Sequence, residues 1–138
     1  MRYTGIGHFK ETAAQVLAKG PVALIFVEDL VEVDTTLRHH LETGFRTVLV
    51  LADDEVPIPA ELEARVHRIR YDVHADDALP EAVNRITPLA PAGTWFYYCY
   101  NAEYLFFPFC ETRSVGDLLA FQTEERRASI LTYVFDLY

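Results

Sequence analysis

Lysine is nearly missing from this chain of 138 residues: only Lys10 and Lys19 occur, both near the start. Twelve basic residues face 21 acidic ones, for a formal charge of −9. A nucleic-acid surface needs a basic stripe. The closest basic groupings, Arg65/Arg68/Arg70 and Arg126-Arg127, are too small to form one, so nucleic acid is not an expected partner. Cysteine is scarce as well. Cys99 and Cys110 sit in apolar surroundings without metal-ligand spacing, which predicts buried, reduced thiols. No apolar run approaches the ~18 residues of a spanning helix. No basic segment leads into an apolar one as in a secretory signal. These absences together predict a cytoplasmic protein. No glycine-rich phosphate loop occurs, and no serine or cysteine stands in an elbow motif, so nucleophilic hydrolysis has no support.

The hydrophobic content, 51% of residues, is enough to fill a core. Length predicts one domain over residues 1–138, with a helical N-terminal segment (1–20) and an α/β core (21–138). Residues 11–19 read as a helix stopped by Gly20-Pro21. Residues 22–27 (VALIFV) and 48–52 (VLVLA) are continuous apolar runs, the pattern of strands covered on both faces, the second strand opening at Thr47. Between them, Asp34 can cap a helix carrying Leu37, Leu41 and Phe45, with Gly44 near its end. Pro59 can open a short helix through Arg65. Residues 66–71 alternate polar and apolar, which predicts a less covered strand near a sheet edge. Asp76 or Asp77 can cap a helix presenting Leu79, Val83 and Ile86 on one face and ended by Pro88. Trp95–Tyr100 is the next strand. Ser114-x-x-Asp117 resembles a capping box opening a helix to about Arg127, and residues 130–138 read as a last strand.

Such alternation predicts an α/β fold with a mainly parallel sheet and helices on both faces. Ligands of open parallel sheets bind outside the carboxyl ends of the strands. There the sequence sets Glu28-Asp29, Asp53-Asp54, Asp72 and Asn101-Ala102-Glu103, the last between two aromatic runs. Carboxylates at such an edge accept hydrogen bonds from sugar hydroxyls or a base, or ligate Mg²⁺ or Mn²⁺. On an extended chain Asn101 and Glu103 point to the same face, which predicts one shared cation or metal–diphosphate complex. The competing role for acids after strands is turn formation and capping. Among five histidines only His74 falls near the expected site edge. His39-His40 and the others are expected to be satisfied surface or boundary residues.

The layout resembles the nucleotide-sugar-binding half of family 2-like glycosyltransferases with the GT-A fold, over about residues 21–110. The resemblance is carried by residues 22–27 with Glu28-Asp29, by Gly44-Phe45 at a helix end, and by residues 47–52 with Asp53-Asp54. It continues with Asn84 in a helix before a Trp-led strand, and with Asn101-Ala102-Glu103-Tyr104-Leu105 after it. It implies a Rossmann-like sheet and transfer of a sugar from a nucleotide-sugar donor to a hydroxyl acceptor. It also implies Mn²⁺ or Mg²⁺ as cofactor. Glu28, Asp29, Asp53, Asp54, Asn84 and Asn101 would serve the nucleotide sugar, and Asn101 and Glu103 the metal. The family's Asp-x-Asp is not intact: its aspartates fall either on Tyr100 and Ala102 or, one residue on, on Asn101 and Glu103. Such enzymes continue into an acceptor-binding part that carries the catalytic base; the resemblance does not extend to that part, which fits either a fragment or a reduced domain without the base, so no catalytic residue is assigned. Two alternatives stand beside this reading. One is a non-catalytic domain of the same fold with a binding or structural role. The other is a receiver-like signalling domain, which Val22–Asp29 superficially resembles but which requires a late lysine.

Overall fold

A computed structural model of the chain describes residues 2–106 and 133–136. The elements run β1 (Arg2–Tyr3), α1 (Ile6–Phe9), α2 (Ala13–Val16), β2 (Val22–Phe26), α3 (Val33–Thr43) and β3 (Thr47–Ala52). They continue with α4 (Ala60–Glu63), β4 (His67–Arg70), α5 (Ala78–Ile86), a 3₁₀ turn (Thr87–Leu89), β5 (Phe96–Tyr100), β6 (Glu103–Phe106) and β7 (Tyr133–Asp136). Five strands form one sheet in the order β1-β4-β3-β2-β5, and every described pairing in it is parallel. Strands β6 and β7 form a separate antiparallel pair, with Glu103 opposite Asp136.

The continuous apolar runs are β3, at the centre of the sheet, and its neighbour β2. All residues of β2 and β3 are buried. Side chains alternate across a strand, and here the alternation supplies two cores. Ala23, Ile25 and Val27 join Val48, Val50, Leu37 of α3 and Leu62 of α4 on one face. Val22, Leu24 and Phe26 join Leu49, Leu51, Phe9 of α1, Ala13 of α2 and Ile86 of α5 on the other. Helices therefore cover both faces, as the sequence predicts.

Several local expectations change. The segment 11–19 holds only the single turn of α2, preceded by α1; Lys10, Glu11 and Thr12 separate them, and Ile6, Phe9, Ala13 and Leu17 are buried across both. Asp34 lies in the first turn of α3, and Glu32, in a left-handed conformation (φ 52°), occupies the capping position. Asp77 does precede α5, also at positive φ, but its side chain makes no capping bond. Pro59 precedes α4, which ends at Glu63. Gly44 does close α3, with φ 114°, a left-handed conformation that favours glycine. Strand β4 does lie near an edge and is less covered than β2 and β3: only the two-residue β1 pairs on its outer side. The helix expected over 114–127 lies outside the described residues, and of the strand expected over 130–138 the described part is β7.

The chain crosses from β2 outward through β3 to β4, then returns to the other side of β2 with β5. The reversal falls between β2 and β5, where the β2–α3 loop packs against Asn101 at the end of β5; open α/β sheets place ligands outside the carboxyl ends of their strands.

Candidate functional site

A cleft of about 610 Å³ opens at the carboxyl ends of β2, β3 and β4. Glu28, Asp29 and Leu30 line it from the end of β2, and Asp53 and Glu55 from the end of β3. Arg70, Tyr71, Asp72 and His74 line it from β4 and the loop that follows. The parallel sheet explains this convergence, because each strand delivers its next two or three residues to the same edge. Five of the lining side chains are carboxylates, against one arginine. Asp54, just outside the lining, approaches Arg70 at 3.6 Å. The cleft is thus a surface of hydrogen-bond acceptors with a negative field, suited to hydroxyl, amine or amide donors.

Two devices hold its walls. His74 spans from the β4 loop to the β2 loop. Its Nε2–H donates to the Glu28 carbonyl (2.8 Å), while its own backbone N–H donates to Asp72 Oδ1 (3.1 Å). Behind the β3–α4 loop, Arg68 is almost fully buried and donates from Nη2 to the carbonyls of Asp53 (2.8 Å) and Val56 (2.7 Å). Burial, together with the nearby Arg2 charge, pushes the Arg68 guanidinium below its ordinary range, with Glu63 opposing the shift. Tyr71 donates its hydroxyl to the Ala78 carbonyl (2.6 Å), and burial raises its pKa, keeping the phenol protonated.

The end of β5 departs most from expectation. Residues 101 and 102 form a turn, and Ala102 adopts φ 64°. A left-handed residue breaks the two-residue parity of an extended chain, so Asn101 and Glu103 do not share a face. Asn101 is fully buried. Its Nδ2 donates to Asp29 Oδ1 (2.6 Å) and to the Val31 carbonyl (2.8 Å), and its Oδ1 accepts from the Glu28 N–H (3.0 Å). Glu103 Oε1 accepts from the Tyr100 N–H (2.6 Å). Both side chains are committed to the protein's own backbone and loop, which does not fit the shared cation expected of them. Among the described residues no group of three or more His, Cys, Asp or Glu side chains is placed to hold a metal.

Helix α3 grips the same turn. Thr36 Oγ1 accepts from the Ala102 N–H (2.8 Å) and donates to the Glu32 carbonyl. His39 Nε2–H donates to the Leu105 carbonyl (2.9 Å). His40, expected at a boundary, is fully buried and stacked on Tyr97. Its Nδ1–H donates to the Thr36 carbonyl (2.8 Å), which leaves Nε2 to accept the longer bond from the Leu105 N–H (3.5 Å). Burial pushes His40 down to about 4, against the Thr36 bond, so the ring is neutral. Cys99, 4.0 Å from His40 Nε2, is pushed up to about 12 by burial. It is a protonated core thiol, as its composition predicts.

Of the residues expected at the site, Glu28, Asp29 and Asp53 share the cleft, and Asp54 flanks it through Arg70. Asn101 stands behind the β2 loop instead of facing a ligand. Asn84 is exposed on α5 and is not part of the lining. Sequence reasoning passed over Arg70, Tyr71 and the buried Arg68, although the Arg-Tyr-Asp step out of a parallel strand marks the first two. Among the described residues no helix is long and apolar enough to cross a membrane. Set against known proteins, the chain matches no family model, and neither curated proteins nor solved structures give a significant match.

Proposed function

We propose that the cleft binds the nucleoside end of a nucleotide sugar and that the chain is the donor-binding half of a GT-A-type glycosyltransferase. One observation carries this reading: five carboxylates from the ends of three adjacent parallel strands converge on one cleft. Glu28, Asp29 and Asp53 are of the type and place to accept hydrogen bonds from ribose hydroxyls and from the N–H edge of a base. The order β4-β3-β2-β5 also supports it, being the 3-2-1-4 part of a nucleotide-binding doubly wound sheet. The same order speaks against the receiver-like alternative, in which the third strand lies beside the first; here β4 pairs with β3 and β1, not with β2.

A second reading, a binding domain without transfer activity, is favoured by the engagement of Asn101 and Glu103 with backbone groups. Calorimetric titration with UDP-glucose, GDP-mannose and the free nucleosides, with Mn²⁺ and with EDTA, tests the common premise. Binding at sub-millimolar Kd that survives EDTA and is weakened by Asp53→Asn supports the cleft as the nucleoside site. No heat with any of these ligands at millimolar concentration rejects it. Nucleotide release in the presence of hydroxyl acceptors separates a transferase from a binding domain.

A further inference from the structure

We infer that Asn101 is the positioning residue of the cleft, fixing from behind the loop that presents Glu28 and Asp29. This rests on the cleft being the ligand site. Three side-chain bonds tie a fully buried amide at the end of β5 to three points of the β2–α3 loop: the Glu28 N–H, the Asp29 carboxylate and the Val31 carbonyl. The Asn101 N–H adds a fourth tie, to the Phe26 carbonyl (3.0 Å) at the end of β2. The loop itself is tightened by a bond from the Val31 N–H to Asp29 Oδ1 (2.9 Å). Asp29 therefore receives two donors on one oxygen, one from its own loop and one from β5, and its orientation is set from both sides.

The chemistry demands an amide at position 101. The side chain must accept from an N–H and donate to both a carboxylate and a carbonyl, a mixture that an amide supplies and a carboxylate, a hydroxyl or an apolar group does not. Asn101→Asp keeps the acceptor for Glu28 but sets a second negative charge against Asp29 and an acceptor against the Val31 carbonyl. Thr36, through the Ala102 N–H, and Glu103, through the Tyr100 N–H, fix the turn that carries Asn101. The amide is thus anchored independently of the loop it orients.

The test joins amide hydrogen exchange, which needs no ligand, with titration of UDP-glucose. In folded Asn101→Ala, the Glu28 N–H loses protection while those of Val50 and Ile69 keep theirs, and UDP-glucose affinity falls tenfold or more. Asp29→Ala, alone and with Asn101→Ala, completes a double-mutant cycle on UDP-glucose affinity. Asn101→Ala costs clearly less affinity in the Asp29→Ala background than in the wild type, a non-additivity that general loosening of the fold would not produce. Unchanged Glu28 exchange in folded Asn101→Ala overturns the inference, as do additive losses of affinity in the cycle. Where Asn101→Ala does not fold, Asn101→Asp takes its place: it keeps the acceptor for the Glu28 N–H and repels Asp29, so Glu28 stays protected while affinity falls, and unchanged affinity overturns the inference. If the wild-type protein takes up no UDP-glucose, the nucleotide-sugar reading falls, and the exchange data alone decide the role of Asn101.

Discussion

His40 makes the folding stability of this chain depend on pH in a window where few other groups act. Its ring is fully buried, donates to the Thr36 carbonyl and accepts from the Leu105 N–H, so the folded protein holds it neutral. The unfolded chain binds a proton near 6.5 and the folded chain only near about 4. Above about pH 6.5 both states are neutral and the group contributes no pH dependence. As pH falls from there toward 4, the unfolded state gains a proton that the folded state refuses, and stability is lost. The span from 6.5 to about 4, at 1.36 kcal/mol per tenfold, corresponds to about 3 kcal/mol. His67, whose pKa burial also lowers, adds a smaller loss of the same sign. Urea denaturation at pH 7.5, 6.5, 5.5 and 4.5, on the wild type and on His40→Gln, isolates the effect. The variant is less stable at pH 7.5, but its stability falls by about 2.5 kcal/mol less than the wild type's on going to pH 4.5, most of the full span. Parallel curves for the two proteins would refute the reasoning, as would an NMR titration of His40 in the folded state with a midpoint near 6.5.

Three further outcomes follow from the geometry. Arg68→Ala leaves the Asp53 and Val56 carbonyls without their donor and hollows the core beside β1, and its expected cost is about 3 kcal/mol in chemical denaturation. In a Cys110→Ser background, Cys99 reacts with a thiol-specific disulfide at pH 8 only at the rate at which the protein opens, because burial holds the thiol protonated; rapid stoichiometric labelling of the folded protein would contradict this. Asn84→Ala, on the exposed side of α5, changes stability by no more than ~0.5 kcal/mol and leaves nucleotide-sugar titration unchanged.

Strands β2 and β3 were legible because, Thr47 apart, each is apolar at every position, which only a strand covered on both sides tolerates. The acids that follow them marked the cleft edge for the same reason: a parallel sheet sends all its strand ends one way. The failures have local causes. Strand β1 has two residues and carries no periodic signal. Arg68 sits in an alternating stretch that reads as half solvated, and only the position of β4 inside the sheet, with loop carbonyls within reach, buries it. The parity that paired Asn101 with Glu103 assumed an extended backbone, and nothing in the composition of Asn-Ala-Glu announces a left-handed alanine. His40 was misjudged because helical spacing places Thr36 and His40 one above the other, and the face they share turns inward toward Tyr97.

The partition of β2 between two cores constrains how this chain can vary. Its odd-numbered side chains belong to the α3–α4 layer and its even-numbered ones to the layer of α1, α2 and α5. Substitutions in one layer can be compensated within that layer, so the two halves are free to drift apart in composition. A single-residue insertion or deletion inside the strand has no such remedy. It would turn every β2 side chain beyond the change to the other face, carry Phe26 toward the layer of Ala23 and Ile25, and swing Glu28 away from the cleft. Length, more than identity, is what the packing of this strand fixes.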